Sequence, residues 1–121
     1  MGQPPDQITA EFTVGTEAGN VITVAVALKK YNVPVDCRHL VFAWLSSDAT
    51  GDTLAADPGT LAAGTNGTQI AEPVDDIVQM FLTEANGTLD VAITHASTTG
   101  FYLNIALPGG RVVTAPIAQF A

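Results

Sequence analysis

The sequence predicts an all-β fold, an antiparallel β-sandwich of seven to eight strands with an immunoglobulin-like or related Greek-key topology. Three observations support this prediction: short segments in which apolar and β-branched residues alternate, Gly, Pro and Asn turns between them, and no window of eleven or more residues with a clear helical period. Many short strands separated by such turns are typical of sandwiches. A small closed β-barrel is the alternative.

The first predicted strands follow a period of two. Residues 21–31, VITVAVALKKY, alternate between a face with Ile22 and Val24 and a face with Thr23 and Ala25, which is typical of a strand that covers a core. The next strand, HLVFAWLSS, is apolar on both faces. The remaining predicted strands span residues 68–72, 77–84, 88–96, 101–108 and 111–120, with an eighth strand at 8–14.

Turn residues separate these strands. Asn86-Gly87 is the strongest hairpin signal, because both central positions of a type I′ turn require a positive φ. Pro108-Gly109-Gly110 predicts a second hairpin, and Asn32 to Pro34 separates the first two long strands. Asn66-Gly67 is also interpreted as a turn, and residues 73–76 are compatible with one helical turn.

Length and charge limit the partners of the chain. Its 121 residues are enough for one domain with a single core, and 47% of them are hydrophobic whereas 13% are charged. The 4 Lys and Arg residues against 12 Asp and Glu residues give a formal net charge of −8. Nucleic acid is not expected as a partner, because a phosphate backbone requires a basic surface. A membrane is not expected either, since no apolar run has the length of a membrane span.

The N-terminal residues do not continue the sandwich pattern clearly. Residues 1–12, MGQPPDQITAEF, are predicted to form a flexible segment or arm with Ile8 and Phe12 as candidate contacts, and residues 13–121 form the sandwich domain. The segment has neither the basic nor the apolar region of a signal peptide. Cys37 is the single cysteine and cannot close an internal disulfide. The expectation is a soluble protein that is made in the cytoplasm.

The stretch 46–68, SSDATGDTLAADPGTLAAGTNGT, is predicted to be a long loop that crosses the sandwich. Leu54 and Leu61 begin two small apolar spots that would anchor it, and its polar remainder would contact a neighbouring subunit. Its carboxylates do not have the spacing of an EF-hand, so neither a metal nor another cofactor is expected. These carboxylates are Asp48, Asp52 and Asp57.

No catalytic residues are predicted, and the chain is not expected to be an enzyme. A triad can be drawn on paper from Ser46 or Ser47, His39 or His95, and Asp90 or Asp48. However, His39 and Ser47 are eight residues apart in one strand, which at about 3.3 Å per residue is beyond hydrogen-bond reach. The sequence also contains no G-x-S-x-G nucleophile elbow.

Aromatic residues on an exposed sheet would indicate a carbohydrate-binding platform. Trp44 and Phe42 share one face of the most apolar strand, and they are predicted to lie in the core. Tyr31 and Tyr102 remain as surface candidates.

Three of the four basic residues lie around one predicted turn. They are Lys29, Lys30 and Arg38, in a chain that is otherwise acidic. Two interpretations stay open: a solvated hairpin end, or a local electrostatic contact with an acidic partner. Such a contact would provide orientation more than affinity.

Several segments of the chain resemble small proteins from the structural gene clusters of tailed bacteriophages. The segments are LSSDATGD, TEANGTLDVAITHA and FYLNIALPGGRVV, and the order of strands and loops around them extends the resemblance over roughly residues 20–115. The resemblance implies a virion structural protein, a capsid decoration or cement protein with an immunoglobulin-like or related β-sandwich fold. It implies no catalytic residues.

This resemblance also implies partners. A decoration protein binds the outer surface of the capsid and bridges neighbouring major capsid protein subunits, and we expect a homotrimer with the turn of Lys29, Lys30 and Arg38 towards the shell. The location implied is the capsid surface of the virion. The alternative is an immunoglobulin-like adhesion module on a phage head or tail that binds host surface glycans.

Overall fold

The computed structural model describes residues 8–49, 60–74, 78–95, 101–107 and 112–117. These residues form ten β-strands. The strands are β1 Ile8–Val14, β2 Val21–Lys30, β3 Val33–Pro34, β4 Leu40–Ser46, β5 Thr60–Ala63, β6 Thr68–Val74, β7 Val78–Leu82, β8 Thr88–Thr94, β9 Phe101–Ala106 and β10 Val112–Ile117.

The strands form two separate antiparallel sheets of five strands each. Sheet I has the order β1-β2-β8-β5, with β3 paired to the end of β2, and sheet II has the order β10-β9-β4-β7-β6. All strand pairs are antiparallel. The predicted sandwich is therefore confirmed rather than the closed barrel. All eight predicted strands are present, and the sequence analysis missed β3 and β5.

The core lies between the inner faces of the two sheets. Alternation places Ile22 and Val24 of β2 opposite Ile93 and Val91 of β8, and all four side chains are fully buried. Burial of such a side chain contributes about 1.5–3 kcal/mol. Sheet II contributes Val41, Ala43, Leu45, Phe81, Leu103 and Ile105, of which none is more than 1% exposed.

Buried polar groups in the core are paired. The side chain of Gln79 on β7 is fully buried and its Oε1 accepts a hydrogen bond from Nε2 of Gln69 on β6. The same Nε2 lies 3.4 Å from the carbonyl oxygen of Leu61 on β5. In the described residues, no buried side-chain nitrogen or oxygen lacks a partner. The pair thus connects β6 and β7 of sheet II with β5 of sheet I without an unsatisfied group.

Two tight turns have the geometry of type I′ hairpins. Gly19 and Asn20 have φ of 60° and 68° and join β1 to β2, with two hydrogen bonds between Ala18 and Val21. Tyr31 and Asn32 have φ of 54° and 64° and join β2 to β3. Asn tolerates this left-handed region, whereas a bulky side chain such as Tyr rarely adopts it. Neither turn was identified as type I′ from the sequence.

The predicted hairpin at Asn86-Gly87 is wrong, because β7 and β8 belong to different sheets. Glu84 and Thr88 do close a local turn, in which Glu84 N donates to Thr88 O over 2.9 Å. Within residues 78–95, only Gly87 has a positive φ, of 82°. The chain therefore reverses direction here while it passes from sheet II to sheet I. This turn has a positive φ at one residue, Gly87, whereas a type I′ turn requires a positive φ at both central residues. The hairpin around residues 108–110 is confirmed by the pairing of β9 with β10, although those residues lie outside the described part.

Gly87→Ala is expected to lower the free energy of unfolding by about 2 kcal/mol, because it adds left-handed strain and overpacking. A Cβ at this position would lie 2.5 Å from Val35 Cγ2 and 3.0 Å from Leu28 O. The matched control is Gly19→Ala, where φ is +60° but nothing lies within 4 Å of the added Cβ. We expect a loss of about 1 kcal/mol there. Urea denaturation measures both, and equal losses would contradict the contribution of packing at Gly87.

The structure corrects two predicted segment boundaries. Residues 8–12 were assigned to the flexible arm, but they belong to β1, which pairs with β2 along its whole length. Every second residue of this segment, Ile8, Ala10 and Phe12, packs against the edge of the core. The eighth strand predicted at 8–14 is therefore correct. Likewise, the loop predicted at 46–68 contains β5 and the first residue of β6.

Residues 73 and 74, which were compatible with a helical turn, lie in β6. The strand pairing of β6 with β7 continues to Val74, although two register shifts interrupt it. Irregular pairing of this kind is common on edge strands, where Pro is also tolerated. Residues 75 and 76 lie outside the described part of the chain.

Candidate interaction surfaces

The basic residues at the β2–β3 hairpin do not share one environment. Lys29 Nζ lies 2.9 Å from Glu11 Oε1 on the neighbouring strand β1, so its charge is already paired. Lys30 ends β2 and is exposed. Arg38 follows β3 and is also exposed. Within the described part of the chain, neither Lys30 nor Arg38 has an acidic side chain within ion-pair distance. These two charges are therefore available to an acidic partner.

The hairpin and the start of β1 lie at the same end of the sandwich. Ile8 pairs directly with Lys30 in the register of β1 and β2, and β4 begins at Leu40 shortly after Arg38. We call this region, with Lys30 and Arg38 at its centre, the basic end. Residues 1–7 lie outside the described part, but the chain enters β1 at this end.

The apolar candidate contacts are less available than predicted. Leu61 is 3% exposed on β5 and belongs to the core, so it cannot contact a neighbouring subunit. Its burial agrees with the prediction that Leu61 anchors the stretch 46–68. Ile8 and Phe12 are partly buried and pack against the core. Leu54 lies outside the described residues.

Carboxylates near the basic end hold turns together. Glu84 Oε2 accepts a hydrogen bond of 2.7 Å from Gly67 N, and Asp90 Oδ2 accepts bonds of 3.1 and 3.2 Å from the N and Nδ2 of Asn66. Both carboxylates therefore hold the Asn66-Gly67 turn, where Gly67 has a φ of 89°. An open depression of about 380 Å³ beside this turn is lined by Asn66, Glu84, Ala85, Asn86 and Thr88.

The structure separates His39 from Ser46, two of the residues from which a triad was drawn. His39 and Ser46 lie near opposite ends of β4. The Ser46 hydroxyl is buried, donates to the carbonyl oxygen of Asp48 over 2.7 Å and accepts from Asn104 Nδ2 over 2.9 Å. The His95 ring packs edge-on against Phe101 at 5.0 Å between centroids. The Ser46 proton is therefore directed at a main-chain oxygen.

Metal-binding side chains do not converge in the described ranges. Cys37 Sγ lies 3.4 Å from His39 Nε2 on the surface. In those ranges, no three His, Cys, Asp or Glu residues are placed to hold a metal ion. The described residues also contain no helix that is long and apolar enough to cross a membrane.

The outward face of sheet II is apolar, which the sequence analysis did not predict. Phe42 and Trp44 do share one face, but this face points away from the core, so their assignment to the core is wrong. Phe42 is 37% exposed, while its neighbours Val41 and Ala43 are buried. Since β4 is apolar on both faces, alternation alone could not show which side is inward. The central side chains of this outward face are Leu40, Phe42, Trp44, Val78, Met80 and Leu82.

The apolar surface continues onto the strands at both edges of sheet II. Ile70 on β6 is 51% exposed and Val112 on β10 is 44% exposed. The sheet register places Val112 beside Ala106, which in turn is beside Phe42. We call this surface the sheet II outer face.

A buried polar group lies within this face. Asn104 of β9 is fully buried, and its Nδ2 donates to Ser46 Oγ over 2.9 Å and lies 3.3 Å from the carbonyl oxygens of Trp44 and Tyr102. Its Oδ1 accepts a bond of 2.7 Å from Thr114 Oγ1. Asn104 thus connects β4, β9 and β10, and its hydrogen bonds are made inside the protein.

The outward face of sheet I differs in character. Its exposed positions carry small or polar side chains, such as Thr23, Ala25 and Thr94, and it also carries the Lys29–Glu11 ion pair. The two outer faces of the sandwich are therefore unequal. Exposed apolar side chains that cluster on one face are typical of interaction surfaces.

No protein-family model matches the sequence, and no curated protein matches it. Among solved structures, the chain is similar to the crystal structure of the GAE domain of GGA2p from Saccharomyces cerevisiae. The two share 16% sequence identity over 98% of this chain and 92% of that chain, with a TM-score of 0.31. The strand pairing within the two sheets, and not this likeness, defines the fold of the chain.

Proposed function

We propose that this chain is a bacteriophage capsid decoration protein that binds the outer surface of the shell and bridges neighbouring major capsid protein subunits. The observation that carries the proposal is the basic end, where two exposed cations, Lys30 and Arg38, lie at one end of a chain with a net charge of −8. The resemblance of residues 20–115 to phage structural proteins agrees with it. The protein acts by binding, as a homotrimer on the virion, and needs neither nucleic acid nor a cofactor.

The charge distribution suggests how the protein is oriented. An acidic body is repelled by an acidic shell, whereas a local pair of cations is attracted to carboxylates on it. The basic end therefore faces the capsid, and the carboxylates near it, Glu84 and Asp90, are bonded to the Asn66-Gly67 turn. The acidic residues farther from this end face solvent, where they limit association between particles. Because exposed charge pairs contribute only about 0–1 kcal/mol each, they provide orientation and a faster encounter more than affinity.

The two-sheet body suits the mechanical part of the role. Each sheet is held by long-range antiparallel pairing, and the core between them contains paired polar groups in place of unsatisfied ones. A rigid body of this kind loses little conformational entropy on docking, so more of the contact energy is available to hold adjacent capsomers together.

Purified protein mixed with capsids that lack it is expected to occupy regular positions on the shell in cryo-electron micrographs. The variant Lys30→Gln with Arg38→Gln is expected to bind about tenfold more weakly, as two charge contacts of about 0.7 kcal/mol each would predict. The difference between the two proteins should shrink at high salt, because screening weakens exposed charge contacts.

The control is Thr23→Glu with Thr60→Glu, which makes the same change in net charge on the outward face of sheet I. These threonines are exposed and lie on β2 and β5, which are not adjacent. The control should bind like the unchanged protein. Random or absent occupancy by the unchanged protein would refute the decoration role, and equal weakening in both variants would refute the orientation by the basic end.

An adhesion module is the second candidate, favoured by the exposure of Tyr31 at the tip of the β2–β3 hairpin. This side chain is 62% exposed, as is that of Val33 beside it. Aromatic rings on a surface can stack against sugars. The adhesion role predicts that the isolated protein binds host cells in the absence of capsids and that Tyr31→Ala abolishes this binding.

A further inference from the structure

The sheet II outer face carries most of the large hydrophobic side chains that are exposed in the described residues. Seven large hydrophobic side chains are exposed in the described residues, and four of them are on this face: Leu40, Phe42, Ile70 and Val112. Trp44 and Met80 are half-buried between them. Aromatic residues and Met are the side chains enriched at the centres of protein interfaces.

The charge of the face indicates what can cover it. None of its described outward side chains is Asp, Glu, Lys or Arg, although the chain as a whole has a net charge of −8. Two copies of an acidic protein repel each other wherever their charged surfaces approach. Over its described side chains, the face carries no charge that would add to this repulsion, and it offers no charge to a partner selected by charge.

Two polar groups of the face are already satisfied inside the protein. Asn104 and Ser46 are fully buried in it and are bonded to each other, and Thr114 donates to Asn104. A partner therefore does not need to supply hydrogen bonds to these groups.

We propose that the sheet II outer face binds a second copy of this chain and is the contact that holds the oligomer together. This inference rests on the homotrimer of the proposed function and adds the surface on which it forms. If the whole face packs against the same face of a second copy, the assembly closes as a dimer. If one half of the face contacts the other half on the next copy around a ring, the assembly closes as a trimer.

The size of the face sets the expected strength. Five strands about 4.8 Å apart and about seven residues of 3.3 Å each give it a flat area of roughly 500 Å². Stable interfaces bury about 800 Å² from each partner, so the free protein should associate reversibly and with a dependence on concentration. Positioning of copies side by side on a capsid would then favour the assembly.

Light scattering coupled to size-exclusion chromatography tests the proposal without capsids. Over a range of about 5–500 µM, which covers the affinities of interfaces below standard size, the mass should rise from 12.5 kDa towards two or three times that value. Phe42→Lys should raise the dissociation constant at least tenfold, because it places a charge at the centre of the contact. Ile70→Lys, at an exposed position on the edge strand, should have the same effect with less risk to folding.

Thr23→Lys is the matched control, since it adds the same charge at an exposed position on the opposite sheet. It should associate like the unchanged protein, and circular dichroism should show that all variants are folded. A mass of 12.5 kDa at every concentration, or equal loss of association in Thr23→Lys, would overturn the proposal.

Capsid occupancy separates this inference from the proposed function. Concentration-dependent association without capsid binding would support the self-contact and refute the decoration role. If the free protein stays monomeric and Phe42→Lys abolishes occupancy while Thr23→Lys preserves it, the face binds the capsid protein and the self-contact is wrong.

Discussion

Deleting residues 2–12 is expected to lower the free energy of unfolding by at least about 3 kcal/mol relative to deleting residues 2–7. The longer deletion removes most of β1, in which Ile8, Ala10 and Phe12 pack against the core. It also exposes the main-chain groups of β2 that pair with residues 8–12, which make five of the seven residue pairs between β1 and β2. Urea denaturation followed by circular dichroism measures the difference, which is extrapolated to water for both variants.

The shorter deletion is the control, because it removes only the residues that precede β1. Any effect common to both deletions comes from those residues, and the remainder comes from residues 8–12. Equal unfolding free energies would mean that residues 8–12 contribute nothing to the sandwich and form an arm, as the composition of the N-terminal segment suggested.

Replacing Asn104 by Leu is expected to cost about 2–4 kcal/mol, although the two side chains have the same branching and the same number of heavy atoms. The Thr114 hydroxyl loses the oxygen to which it donates, and Ser46 Oγ loses the donor at 2.9 Å. Both groups are then left in a site that the Asn104 burial shows to be inaccessible to water. Thermal and urea unfolding measure the loss.

A double-mutant cycle with Thr114→Val tests this explanation. Thr114→Val alone should cost about 1–2 kcal/mol, because it leaves Asn104 Oδ1 without a donor. In the Asn104→Leu background, the same substitution should recover stability, since both members of the pair are then apolar. Strictly additive losses would show that the 2.7 Å bond between these side chains contributes no coupling.

The two proposed contact surfaces, the basic end and the sheet II outer face, have different partners: the capsid shell and a second copy of the chain. The basic end offers charge at one end of the sandwich, and the sheet II outer face offers apolar area on its side. The two surfaces adjoin at Leu40, but the cations Lys30 and Arg38 and the aromatic residue Phe42 are separate contact points, so a copy of the chain could contact the shell and its neighbours at once. Variants at Lys30 and at Phe42 should therefore affect occupancy and association separately.

Several features of the fold were readable from the amino acids alone. β2 alternates cleanly between Thr or Ala and Ile or Val, so both its conformation and its inward face could be predicted. The carboxylates Glu84 and Asp90 and the deeply buried Gln79 were not identified as structural groups, because their partners come from other strands. Only sheet topology brings those partners within reach.

The sequence by itself determined the class of fold, the positions of eight strands and the acidic character of the chain, because these depend on local alternation, turn residues and composition. The tertiary structure decided which face of β4 is inward, because that strand is apolar on both sides and its orientation follows from pairing with β7 and β9. It also decided that the chain at Asn86-Gly87 crosses between sheets, since a turn signal reports a reversal of the chain and not which strands pair afterwards. The orientation of β4 places Phe42 and Trp44 outward and so creates the sheet II outer face. This is the surface on which we expect the chain to bind a second copy.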